Sequence, residues 1–278
     1  MTTSELSQLK PLPEDWDSAL AVVAHPDDME YGTAAAVARW TAQGKTVRYL
    51  LATRGEAGID SMDPVTTATV RAAEQRAACQ AVGVTDLEFL DHPDGTIHDV
   101  MRLRREIAAA IRRHRPDVVI GTSHREIFGP GIFNMADHRV VGLATLDAVR
   151  DAANRWVFTD LTGPDGAALP PWSGVKFTAV AGSGQPSHAV DVSDHLDAGV
   201  ASLSAHRAYL EGLGPEAPDP AQMLRMFAGF AADRFGGIPC CAFEVIGLPF
   251  QMPGDSGDGE AATVDRTSDA VGRDQSQR

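Results

Sequence analysis

Four strand-like stretches alternate with four helix-like segments over the first 155 residues, and few folds accommodate that order. ALAVVAH (19–25), TVRYLLAT (46–53), DLEFL (86–90) and DVVIG (117–121) read as strands. The first is apolar up to its final histidine, as expected of a strand covered on both faces. Residues 33–44, 67–83, 99–115 and 137–155 read as helices; glycines end the first two, and Pro116 stops the third. Strand followed by helix, repeated, predicts an α/β fold: a mostly parallel sheet with helices on both faces. Further on, 174–182 and 241–247 read as strands, and 194–212 and 219–232 as helices. Pro/Gly-rich loops lie at 161–172 and 212–220.

Residues 1–17 are polar, carry Pro11 and Pro13, and read as an N-terminal arm. Residues 18–252 form the expected α/β domain. From residue 253 onward the chain is acidic, with no aromatic residue and no large aliphatic beyond isolated valines, so a disordered tail is expected over 253–278. The net charge of −14 argues against broad contact with nucleic acid or an anionic membrane. No stretch approaches the roughly 18 apolar residues of a membrane span, and the N-terminus lacks the pattern of a signal peptide. Cys79, Cys240 and Cys241 make an odd count with two adjacent, which is no disulfide framework. A cytoplasmic protein is expected.

The charge that ends the first strand is the informative feature. AHPDDMEYG (24–32) puts His25, Asp27 and Asp28 where open parallel sheets bind ligands, beyond the carboxyl ends of the strands. The glycine-rich phosphate turn G-x-G-x-x-G is missing there, which weighs against a dinucleotide domain. An imidazole and a carboxylate suit zinc, and three protein ligands leave a position for water. His25 and Asp28 are three apart across a turn held by Pro26, and Asp27 between them is free to accept a proton. The alternative is that Asp27 and Asp28 only cap the next helix. A third ligand should come from another strand end. His138, at a helix start after DVVIG, is the candidate, and Asp137 beside it would orient a neighbour or cap the helix.

These motifs resemble the PIG-L/LmbE-like family of zinc-dependent N-acetylglucosamine de-N-acetylases. The resemblance runs in order through A-H-P-D-D-x-E-Y-G, T-R-G-E-A-G (53–58), Arg71-x-x-Glu74, Asp94-Gly95 and A-D-H-R (136–139), with a weaker match at S-x-x-A-H-R-x-Y (202–209). It implies a Rossmann-like three-layer fold and a Zn2+ ion held by His25, Asp28 and His138. It also implies Asp27 as general base, Arg54 near the pocket, and Arg71 on the substrate side. For Arg71 the competing reading is a solvated helix face. The implied reaction is hydrolysis of an N-acetyl or related acyl amide on a small amino-sugar conjugate, with related amidases cleaving thiol-sugar conjugates. Neither nucleic acid nor membrane is an implied partner, and a homo-oligomer is compatible with the resemblance.

One position departs from the family pattern. Many members carry H-P-D-H at the distal motif, and this chain has Met135-Ala136-Asp137-His138. Methionine donates no hydrogen bond, so the second acid of the motif is absent. His124 and Arg125, in the same loop, are the candidate substitutes, with His124 on the substrate side. Two other function classes follow from what is missing: a weakened zinc- and sugar-binding homologue, and a Rossmann-type nucleotide binder or oxidoreductase.

Overall fold

The computed structural model describes residues 7–129 and 132–247. The first half builds the sheet as the sequence pattern requires. Strand β1 is Lys10–Pro11, and β2 is Ser18–Val23. The short helix α1 (Asp28–Gly32) and helix α2 (Ala34–Ala42) lead to β3 (Thr46–Leu51). Helix α3 (Pro64–Ala81), β4 (Asp86–Phe89), α4 (Val100–His114) and β5 (Val118–Thr122) follow. A small ribbon, β6 (Ile127–Gly129) and β7 (Ile132–Phe133), precedes α5 (Ala136–Ala153). The second half contributes β8 (Phe177–Ala181), β9 (His188–Asp191), α6 (Leu196–Ser204), α7 (Arg207–Gly212), α8 (Pro220–Gly229) and β10 (Cys240–Gly247).

Eight strands form one sheet in the order β1-β9-β10-β8-β5-β2-β3-β4. Strands β8, β5, β2, β3 and β4 pair in parallel, and β10 alone runs antiparallel, between β8 and β9. The sheet is thus mostly parallel, with helices on both faces. Alternation along β2 divides the core. Ala19, Ala21 and Val23 pack with Val37, Trp40 and Cys79 of α2 and α3 on one face. Leu20 and Val22 pack with Leu103, Ile107, Val141 and Ala144 of α4 and α5 on the other. A strand buried on both faces has no polar position until it leaves the sheet, which is why charge appears first at residue 25.

The chain order gives the sheet a switch point. From β2 it steps outward to β3 and β4, then returns to place β5 on the other side of β2. The crevice above β2 and β5 is where such sheets bind ligands. His25 leaves β2 there, and the chain after β5 returns there with α5.

Several elements differ from the sequence reading. The segment 194–212 is two helices, because His206 at φ −81°, ψ 57° leaves the helical region and turns its side chain into the core. The segment 219–232 ends as an α-helix at Gly229. Strand β9 and the β6–β7 ribbon were not anticipated; they have four, three and two residues, too short to show a period. In the expected arm, Leu9, Leu12 and Trp16 are buried, and β1 pairs with β9. The expected tail lies outside the described residues.

Candidate metal and catalytic centre

The turn after β2 is built around Asp28. Its Oδ2 accepts the backbone N–H groups of Ala24 and His25, both at 2.9 Å. Both lone-pair directions of that oxygen face the strand end, so Oδ1 points the other way. Oδ1 lies 2.9 Å from His138 Nε2 and 3.7 Å from His25 Nδ1, and the two ring nitrogens are 3.3 Å apart. All three residues are buried or nearly so.

These separations fit a tetrahedral metal. Ligands at about 2.0–2.1 Å from zinc lie about 3.3 Å from one another at tetrahedral corners, and the three observed distances bracket that value. The remaining nitrogens agree. His25 Nε2 faces Asp94 Oδ1 at 3.0 Å and Asp137 Oδ2 at 3.4 Å, so it carries the hydrogen. His138 Nδ1 faces Asn134 Oδ1 at 3.1 Å, and the Asn134 amide group donates to the carbonyls of Ser123 and Arg125, which fixes its orientation. Both imidazoles therefore aim a lone pair at the common point, the arrangement that outer carboxylates and carbonyls impose on metal-binding histidines.

The electrostatics point the same way. Burial alone would raise the Asp28 carboxyl, but the His138 and His25 imidazoles outweigh it and hold Asp28 well below the usual range. Burial would lower His25, yet Asp28, Asp137 and Asp94 raise it well above its ordinary value. Three carboxylates crowd one buried imidazole, and they call for a cation.

Asp27 is separate from this donor set. It is the residue before α1, at φ 90°, in the left-handed region that non-glycine residues seldom adopt. Its N–H donates to Gln75 Oε1 at 3.0 Å, and its Oδ2 accepts from Arg71 Nη2 at 2.7 Å. Burial pushes its carboxyl up to about 6, against the pull of the Arg71 guanidinium. Its side chain makes no capping hydrogen bond to α1. A carboxyl poised near neutrality beside a metal point has the protonation range of a general base.

His138 is held by α5, which sits close to the end of β5. A Cβ at Gly142 would lie 2.6 Å from the Thr122 carbonyl oxygen and 2.9 Å from His124 N. The glycine one turn beyond His138 is what lets the helix approach.

The structure brings His25, Asp27, Asp28, His138 and Arg71 together. Arg71 is buried. Arg54 makes no hydrogen bond to this group; its Nη1 donates to the Leu90 carbonyl and to Asp91, and its guanidinium lies over Phe89. His124 is half-buried, its Nδ1 has no partner among the described residues, and burial with the neighbouring Arg125 lowers its pKa. Arg125 is paired with Glu244. Met135 is exposed at the start of α5. Sequence reasoning missed Asn134 and Gln75. Asn134 stands four residues before His138, a spacing that could have flagged it; Gln75 has no local signal.

The chain is similar to known proteins in sequence and in fold. The GlcNAc-PI de-N-acetylase (PIG-L) family model matches residues 20–149. The chain is 30% identical over 213 residues to the 1D-myo-inositol 2-acetamido-2-deoxy-alpha-D-glucopyranoside deacetylase of Geodermatophilus obscurus, covering 64% of this chain and 71% of the relative. It is 28% identical over 268 residues to the protein of the same name from Kineococcus radiotolerans, covering 74% and 72%. In three dimensions it resembles the N,N'-diacetylchitobiose deacetylase of Pyrococcus horikoshii, with a TM-score of 0.73 over 84% of this chain and 85% of that one. That pair is 22% identical, so the likeness speaks for the fold.

Proposed function

Since the chain belongs to the GlcNAc-PI de-N-acetylase (PIG-L) family of amide hydrolases, we propose that it is a zinc-dependent enzyme removing an N-acetyl or related acyl group from a small N-acetylglucosamine-type conjugate. The observation that carries this reading is the convergence of His25 Nδ1, Asp28 Oδ1 and His138 Nε2 on one point beside Asp27. The inositol conjugate named for the two bacterial relatives is the first substrate to test.

His25, Asp28 and His138 would hold the ion, and zinc at such a site supplies Lewis acidity that lowers the pKa of water and polarises an amide carbonyl. The chain's own residues handle the protons. Asp27 takes one from water as the oxygen adds to the acyl carbon. The same carboxyl then returns it to the nitrogen as the C–N bond breaks, giving a carboxylic acid and a free amine. Asp94 and Asp137 keep the His25 hydrogen on Nε2, and Asn134 keeps that of His138 on Nδ1. Both ligand nitrogens then stay unprotonated towards the site.

The test is acetate release from conjugates of N-acetylglucosamine with inositol, malate and a thiol-bearing group, before metal removal, after it, and after zinc is restored. The reading expects release that disappears and returns with zinc. Met135 motivates a second reading, a zinc- and sugar-binding homologue with weakened catalysis. Stoichiometric zinc and measurable conjugate binding without acetate release would favour it.

A further inference from the structure

The second-half motif S-x-x-A-H-R-x-Y (202–209) supplies no ligand to the metal point, yet it closes on the motif that does. The meeting point is Glu30, the glutamate of A-H-P-D-D-x-E-Y-G, which is 1% exposed. Its Oε1 accepts from Gln75 Nε2 of α3 at 3.1 Å. Ser202 Oγ of α6 lies 3.3 Å from the same oxygen and donates to the Ala78 carbonyl at 2.9 Å. His206 Nε2 lies 3.6 Å from Glu30 Oε2, in contact but beyond hydrogen-bond reach. Oε2 and both His206 ring nitrogens have no partner among the described residues.

Gln75 carries the influence of this carboxyl to the site. Its Oε1 accepts the Asp27 N–H at 3.0 Å, and its Nε2 turns to Glu30. The two ends of a side-chain amide are alike in size and opposite in polarity. Only the oxygen can accept from Asp27, so something must select that orientation. Glu30 Oε1 selects it, because an ionised carboxyl accepts and does not donate. The other group near Nε2 is Cys79 Sγ at 3.8 Å, a weak acceptor.

We infer that Glu30 is a positioning residue for the base: it orients the Gln75 amide, which holds the Asp27 backbone in its left-handed conformation, and Ser202 and His206 keep Glu30 in place. The inference rests on Asp27 being the base of the proposed hydrolase. Asp27 has φ 90°, and such a conformation persists only where its surroundings over-determine it. Glu30 is an expensive way to fill the space. A buried oxygen without a partner lowers stability, and an apolar side chain of similar length would not. What the carboxyl supplies there is the acceptor for Gln75.

The test uses the full chain loaded with zinc and three variants: Glu30→Met, Gln75→Glu, and Gln75→Glu combined with Glu30→Gln. The first removes the acceptor. The second sets two acceptors face to face with no hydrogen between them. The combined exchange keeps an acceptor towards Asp27 and restores the hydrogen bond between positions 30 and 75 with its direction reversed. In acetate release, kcat should fall about 10²-fold in Glu30→Met and in Gln75→Glu, the loss expected when a reacting group shifts by about 1 Å. KM should stay within about threefold, and bound zinc should be unchanged. The combined exchange should bring kcat back to within about fivefold of the wild type. A role in folding alone would lower stability and spare kcat. Wild-type kcat in Glu30→Met would therefore overturn the inference, and so would a combined exchange no better than Gln75→Glu. Should Glu30→Met fail to fold, the comparison of Gln75→Glu with the combined exchange decides.

Deuterium exchange of the Asp27 amide gives a readout apart from turnover. It should run about tenfold faster in Glu30→Met and in Gln75→Glu than in the wild type, and slow again in the combined exchange, while the amides of β2 keep their rates. An unchanged Asp27 rate in both single variants would also overturn the inference. If the wild type releases acetate from no conjugate, the hydrolase reading fails, while the Asp27 rate still reports whether Glu30 and Gln75 hold the turn.

Discussion

Asp27 and Asp28 are adjacent and chemically identical, yet the turn gives them opposite environments. Asp28 faces two imidazoles and is held fully charged; Asp27 is buried against one guanidinium and sits near 6. Two carboxyls pushed apart in this way take different roles, and the substitutions should separate them. Asp27→Asn should keep zinc and lose about 10²–10⁴-fold in kcat, whereas Asp28→Asn should lose zinc itself, as measured by metal analysis beside turnover. Full activity in zinc-loaded Asp27→Asn would remove the base assignment. His25, Asp27, Asp28 and His138 were legible in the sequence because they follow strands at the ligand-binding edge. Gln75 and the Asp94 contact were not, because they reach the site through side-chain geometry, and Asn134 had only its four-residue spacing from His138 to mark it. Arg71 shows the difference: its place on a helix left solvent and substrate as alternatives, and only the folded chain buries it, with hydrogen bonds to Asp27 and to the Pro26 and Gly55 carbonyls.

At the scale of elements, α5 matters most, since it carries both His138 and Asp137. Its approach to β5 depends on Gly142, whose missing Cβ would strike backbone atoms of Thr122 and His124 that cannot rotate away. Gly142→Ala should therefore push the helix outward. The expected effects are a loss of about 1–3 kcal/mol in unfolding free energy, the range for overpacking, and weaker zinc binding, because His138 moves with the helix. Denaturation and zinc titration of the same variant check both. The long elements were readable because the central strands are apolar on both faces and the main helices have end signals such as Pro116. His206 broke the expected 194–212 helix for a tertiary reason: it is fully buried 3.6 Å from Glu30, a contact no local pattern encodes.

Across the whole molecule, acidic groups outnumber basic ones, so the acid limb of its stability depends on which carboxylates the fold holds ionised. Glu88 on β4 is one, and it is far in sequence from the metal point. It accepts from His114 at 2.6 Å and from Arg113, both at the end of α4. The hydrogen bond from His114, and then Arg113, outweigh burial and lower Glu88 from 4.5 to about 2. A carboxyl lowered by folding contributes its stability above the unfolded value and loses it as pH falls through the folded one. Unfolding free energy should therefore drop between about pH 4.5 and pH 2, and Glu88→Gln should flatten part of that drop. An unchanged slope in the variant would mean that the pair adds nothing in solution. Among the described residues no helix is long and apolar enough to cross a membrane. The sheet order, with its switch between β2 and β5, is the feature of the whole that the strand–helix alternation allowed but did not dictate.

The central claim is that a single zinc ion binds at His25 Nδ1, Asp28 Oδ1 and His138 Nε2. A zinc-loaded crystal, with anomalous scattering recorded on both sides of the zinc edge, tests it directly. The account predicts one zinc peak within bonding distance of those three atoms. A peak on the opposite ring nitrogen of His25, with Asp94 and Asp137, or no peak at either place, would contradict it.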